Sequence, residues 1–342
     1  MSKNSKQKTN PFSSGGGGVN FETRVQAAFT VLMLTGGAPP CLPAYTIDKL
    51  KFQSSYAGVQ TDDIMVFAKD SQTEQDAKLL VQIKHEISFT ASDEQFAKTI
   101  QRAWNDFNSD HFDNERDLLV LITGPLSAKD TNDVRPILEW ARYSENEDEF
   151  LFKVCEKDFS SKSKINKFKV VKTHLQNANG GSNVTDKQLW EFFKTFHLVG
   201  YDLDIESGST LSLLLALVSQ CTNQPAHLVL PRIVDVVQTA NQNAGTLTLN
   251  TLPKDITNLF PNADSLNWTK AVQRLQDHGN LILDQISTDI GDVRIERKDI
   301  LAQIIDLAEA NEFVFITGER GNGKPSLVRE FLSFVEEHTP IY

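Results

Sequence analysis

Cysteine is scarce in this 342-residue chain: Cys41, Cys155 and Cys221 stand apart, and no C-x-x-C pair occurs. That spacing gives no sign of a zinc ribbon or a dithiol redox centre and fits a reduced, cytoplasmic protein. Long apolar runs are missing as well. A membrane helix needs about 20 such residues, and the best stretch, residues 211–218, is far shorter. The N-terminus, MSKNSKQKTNPFSSGGGG, carries lysines but no apolar segment behind them. It is therefore no secretory signal, and residues 1–18 read as a disordered tail. Positive charge is in deficit, with 34 Lys and Arg against 45 Asp and Glu and a formal net charge of −11. This balance argues against a non-specific coat for nucleic acid, although a basic cleft can still sit on an acidic body. No repeat of fixed period is found.

What is present is the texture of an ordinary folded protein, with 40% hydrophobic and 23% charged residues and length for two or three domains. Phe21, Val25, Ala28, Phe29 and Leu32 recur at helical spacing, and Gly36-Gly37 with Pro39-Pro40 ends that helix. Residues 47–53, 64–68 and 79–84 read as strands. Ser92-Asp93-Glu94-Gln95 resembles a capping box. The helix it opens, residues 93–107, carries Phe96, Ile100, Ala103, Trp104 and Phe107 on one face. Residues 117–123 are nearly all apolar, as a strand covered on both sides requires. Residues 162–172 are basic and read equally as a DNA-backbone contact or a solvated charged strand. A linker is expected at 177–183, followed by helices at 188–196, 211–220, 228–239 and 265–286. His197 reads as a packed helix residue, and His85 as a solvated residue at a strand end.

Two patterns carry chemistry. The first is T-D-D-I-M-V at 61–66 with V-Q-I-K-H at 81–85. Strand side chains alternate, so Gln82 and Lys84 share a face, and pairing the two strands can bring Asp63 beside them. Carboxylates there can hold Mg²⁺, which takes a few carboxylates and completes its shell with water and phosphate. A lysine beside it can stabilise developing charge. Glu22, early in the first helix, can add a second acid. The competing reading makes Asp62 and Asp63 turn caps and leaves Lys84 in water at a sheet edge.

With the G-V-N-F-E entry to the first helix, these motifs resemble the Mrr-like PD-(D/E)xK endonuclease superfamily over about residues 15–170. Within it they look most like the double-strand DNA nuclease effectors of bacterial antiviral immunity. The resemblance implies an α/β fold, a restriction-endonuclease-like mixed sheet flanked by helices. It implies Asp63, Gln82, Lys84 and Glu22 as catalytic residues, and Asp63, Asp62 and Glu22 as metal ligands. Between the aspartates, Asp63 is favoured because it leads directly into the I-x-V strand. Mg²⁺ is the expected ion, with Mn²⁺ as the alternative. Gln82 stands where the family pattern has an acid, which removes one anionic ligand.

The second pattern is Gly318–Ser326, G-E-R-G-N-G-K-P-S, in Asn311–Lys324, which reads as an apolar strand running into a glycine-rich loop, with a helix expected at 326–335. Gly318, Gly323 and Lys324 satisfy a phosphate-cradling loop. Pro325 replaces the Ser/Thr that would hold magnesium, so ATP is expected only in a longer chain. The combination is similar to antiviral STAND (Avs-like) proteins: nuclease at 19–175, helical connector at 185–300, and the start of a P-loop NTPase at 301–342, truncated here. The resemblance implies a metal-dependent double-strand DNA endonuclease effector activated by oligomerisation, a tetramer being one candidate. Its partners would be duplex DNA, further copies of itself and, through parts absent here, a phage protein, with no membrane. The alternative is a catalytically inactive nuclease-like binding or assembly module.

Overall fold

The computed structural model describes residues 16–70, 73, 75–260, 278–279, 281–290, 293–295, 297–311 and 313–338. The chain divides into two units, Met1–Leu266 and Asn267–Tyr342. The expected tail lies outside the described residues up to 15, as does most of the helix expected at 265–286.

The first unit is α/β and is built on one open, mixed, six-stranded sheet. Helix α1 (Gly16–Thr35) starts inside the glycine run that was expected to belong to the tail. Its end follows the sequence: Gly36 adopts φ 65°, and the Gly37 N–H donates to the Leu32 carbonyl at 2.8 Å, a six-to-one closure that favours glycine. Strands β1 (Tyr45–Phe52), β2 (Ile64–Asp70) and β3 (Asp76–Lys84) form an antiparallel meander. Helix α2 (Glu94–Phe107) crosses to β4 (Leu118–Thr123), which lies parallel to β3.

Five helices follow: α3 (Ala128–Asp133), α4 (Arg135–Arg142), α5 (Glu147–Cys155), α6 (Lys162–Ala178) and α7 (Asp186–Thr195). They deliver β5 (Phe196–Gly200) parallel to β4. Helices α8 (Ser209–Cys221) and α9 (Ala226–Gln242) then lead to β6 (Thr246–Leu247), antiparallel to β1, and to α10 (Lys254–Thr257). The strand order is β5-β4-β3-β2-β1-β6.

Because strand side chains alternate, the sheet has two cores. Leu50, Phe52, Ile64, Val66, Val81 and Ile83 pack with α1, α8 and α9. Met65, Leu80, Leu119, Leu121 and Leu198 pack with α2 and α4–α7, in an aromatic cluster around Phe192, Phe193 and Trp104.

Several sequence expectations are revised. Asp93, not Ser92, caps α2, its carboxylate accepting the Phe96 N–H at 2.9 Å. The cap moves one residue on, so Gln95 is no longer in place to reach back to it. Residues 162–172 are helical, with Phe168 and Val171 buried, rather than a charged strand. His197 lies on β5, opposite Val120, and not in a helix. Residues 196–200 and 246–247, read from sequence as connector, are strands of the same sheet. Partner-strand pairing overrides the local helical pattern at 196–200, as tertiary context commonly does.

The second unit holds a short antiparallel pair, β7 (Asp289–Ile290) and β8 (Val293–Arg294), with α11 (Lys298–Ala310) and α12 (Lys324–His338). Residues 311 and 313–317, expected as a strand, lie outside any strand. Among the described residues no helix is long and apolar enough to cross a membrane.

Candidate active site

The β2–β3 register sets the first part of the site. Ile64 pairs with Val81, so the residue preceding β2, Asp63, comes level with Gln82. The Gln82 side-chain amide donates to Asp63 Oδ2. The Ile83 backbone N–H reaches the same oxygen at 2.6 Å, and Lys84 Nζ reaches it at 3.3 Å. Asp63 and Gln82 are buried, while the Lys84 side chain keeps 29% of its exposure. All three donors fall on Oδ2.

Helix α1 supplies the second acid. Glu22 Oε1 accepts from Gln26 Nε2 at 3.1 Å, Gln53 Nε2 at 3.3 Å and Asn241 Nδ2 at 3.3 Å. Gln26 also donates to the Asp63 backbone carbonyl at 3.0 Å, which ties the two acids together. Burial raises the Glu22 pKa most, and the Asp63 charge raises it further. The Asn241 hydrogen bond, the Lys84 charge and the Gln26 hydrogen bond oppose the rise. A cation bound beside Glu22 would favour its ionised form, against the burial and the neighbouring Asp63 charge that raise its pKa.

Asp62 is turned elsewhere. It pairs with Arg102 Nη1 at 3.2 Å, and the same nitrogen donates to Gln82 Oε1 at 3.1 Å. Burial and then the Asp63 charge raise the Asp62 pKa, against the Arg102 charge. His85 is not merely solvated: its Nε2 lies 2.7 Å from Asp204 Oδ2, and its ring meets Phe21 edge-on at 5.2 Å.

The structure thus gathers Asp63, Gln82, Lys84 and Glu22, and it adds Gln26, Gln53, Arg102 and Asn241. Of these, Gln26 alone had a signal in the sequence, standing one helical turn after Glu22. Arg102 reads as an ordinary solvated position on α2. Nothing in the spacing points to Gln53 or Asn241.

In the second unit the glycine loop closes on itself. Lys324 Nζ donates to the carbonyls of Gly318 at 2.9 Å and Glu319 at 2.8 Å. Arg297 Nη1 donates to the Gly323 carbonyl at 2.9 Å. Gly321 and Gly323 adopt φ of 92° and 63°, a region that glycine enters without strain. Pro325 sits in the first turn of α12, and the Ser326 hydroxyl donates to the Ser287 carbonyl at 2.7 Å.

No family model matches this chain, and no curated protein matches it either. Among solved structures it is similar to the Acinetobacter baumannii Cap4 SAVED/CARF-domain containing receptor with the cyclic trinucleotide 3'3'3'-cAAA. There the identity is 13% and the TM-score 0.41, over 72% of this chain and 44% of that one. The same receptor with 2'3'3'-cAAA gives 13% and 0.40, over 74% and 46%. The Moraxella osloensis Cap4 SAVED/CARF-domain containing receptor gives 12% and 0.37, over 72% and 47%. This chain spans less than half the length of each. These are receptors, two of them named with a cyclic trinucleotide, and none is named as a PD-(D/E)xK nuclease or with duplex DNA. That finding corrects the Mrr-like and STAND resemblance, the double-strand DNA effector function drawn from it, and duplex DNA as the main partner.

Proposed function

We propose that the β2–β3 end is a divalent-cation site that hydrolyses phosphodiester bonds in a cyclic or single-stranded oligonucleotide. The observation that carries this is the convergence on Asp63 Oδ2 of Gln82, the Ile83 N–H and Lys84, with Glu22 held alongside. The donor set fits Mg²⁺, which is held by one or two carboxylates plus water and phosphate oxygens. Among the described residues no group of three or more His, Cys, Asp or Glu side chains could hold a metal ion, which is the arrangement catalytic zinc favours. Asp63 and Glu22 would hold the ion. When bound, it would polarise the phosphoryl oxygen and lower the pKa of its water.

The chain's own groups do the rest. Gln82, fixed through its Oε1 by Arg102, keeps Asp63 oriented. Lys84 holds a positive charge where the phosphorane charge develops, a position where one preorganised donor contributes about 100- to 1000-fold in rate.

The test incubates the protein with Mg²⁺ or Mn²⁺ and a cyclic trinucleotide, a single-stranded oligonucleotide or duplex DNA, following product by chromatography. Cleavage of either of the first two that is lost in Asp63→Asn supports the reading. Tight binding of the cyclic trinucleotide with no turnover would replace it with a ligand-sensing function. Equal cleavage by Asp63→Asn would overturn it.

A further inference from the structure

The Glu22 carboxylate is set by residues that a two-strand metal motif does not contain. Asn241, in the last turn of α9, donates to it from 219 positions away. Asn241 Oδ1 in turn accepts from Gln26 at 3.3 Å and Gln53 at 3.1 Å, so this carboxamide links the acid's other two partners.

The backbone around this cage is built to hold it. Gln53 sits at φ 48°, ψ 52°, a left-handed conformation that strains a non-glycine residue. Ala244 has φ 47°, and the Gly245 N–H closes α9 onto the Ala240 carbonyl at 2.8 Å. The Gly245 carbonyl then accepts the Phe52 N–H at 3.0 Å, and β6 pairs with β1 directly afterwards. The end of α9 and the bend after β1 are thereby locked to each other with Asn241 and Gln53 face to face.

We infer that Asn241 and Gln53 are positioning residues that aim Glu22 at the cation, so that metal affinity depends on the seating of α9. This rests on the cation reading above. Residues that orient a ligand without touching the metal typically change affinity by about 10- to 100-fold.

The probe is Mn²⁺ alone, titrated calorimetrically into the full chain, with thermal unfolding recorded beside it. Asn241→Ala is expected to weaken Mn²⁺ about 10-fold, and Gln238→Ala on the exposed side of α9 to leave it unchanged. Gln53→Gly removes the amide but suits the left-handed backbone. It should weaken Mn²⁺ while the melting temperature holds or rises, an outcome that packing alone would not give. If wild type binds Mn²⁺ and both clamp variants bind it equally well, the clamp is wrong and the cation reading stands. If wild type binds none, both fall.

Discussion

At the β2–β3 end, side chains from positions 22, 53, 63, 82, 84, 102 and 241 meet. The glycine loop of the second unit is instead closed by neighbours, its lysine folded onto carbonyls five and six residues back. Both began as short patterns of a kind that handles phosphate. They differ in what holds their charges. The sheet site needs a whole fold to put Lys84 beside Asp63. The loop takes a bond from Arg297, 26 residues back, but its lysine is already spent on its own backbone.

The largest expected difference is kinetic. Lys84→Ala should lower phosphodiester hydrolysis about 100- to 1000-fold, whereas Lys324→Ala should leave it unchanged, in initial rates at saturating Mg²⁺. Equal losses would erase the distinction between the two regions.

An effect on stability of comparable size tests the dependence on the fold. Phe192 is fully buried on α7 and rings with Trp104, Phe107, Phe193 and Phe196. Phe192→Ala should cost about 3–5 kcal/mol in denaturant unfolding.

A pH effect comes next. Burial, and secondarily the Arg142 charge, lowers the His197 pKa to about 3. An unfolded imidazole titrates near 6.5, so the unfolded chain binds the extra proton first as pH falls. Stability is full above about 6.5 and declines toward 3, by up to about 1.4 kcal/mol per pH unit from this group. His197→Gln should flatten that part of a stability-against-pH curve. The smallest effect is a null one: ATP with Mg²⁺ should not shift the thermal midpoint. A rise of several degrees would mean that the glycine loop opens to take nucleotide.

The sequence revealed what periodicity and turn chemistry govern. The α1 stripe from Phe21 to Leu32, the Gly36-Gly37 stop, the β1–β3 meander and the Asp63, Gln82, Lys84 convergence were all legible, because each depends on spacing within a strand or helix. Strand β5 was not, since its W-E-F-F-K-T-F-H-L context reads as one helix until β4 offers a pairing edge. Arg102, Gln53 and Asn241 were also hidden, because a side chain that acts across the sheet leaves no spacing behind. The family resemblance leaned on a few residues of α1 and the meander, whose spacing governs strand pairing and not family membership.

The 219 positions between Glu22 and Asn241 also give the site a history. A ribosome adds about 5–20 residues per second, so α1 and the meander are made well before the last turn of α9 exists. Until α9 and β6 emerge and dock, Glu22 lacks one of its three amide partners and the bend at Gln53 has nothing to lock against. The nascent chain carries the acids and the lysine without the cage that aligns them.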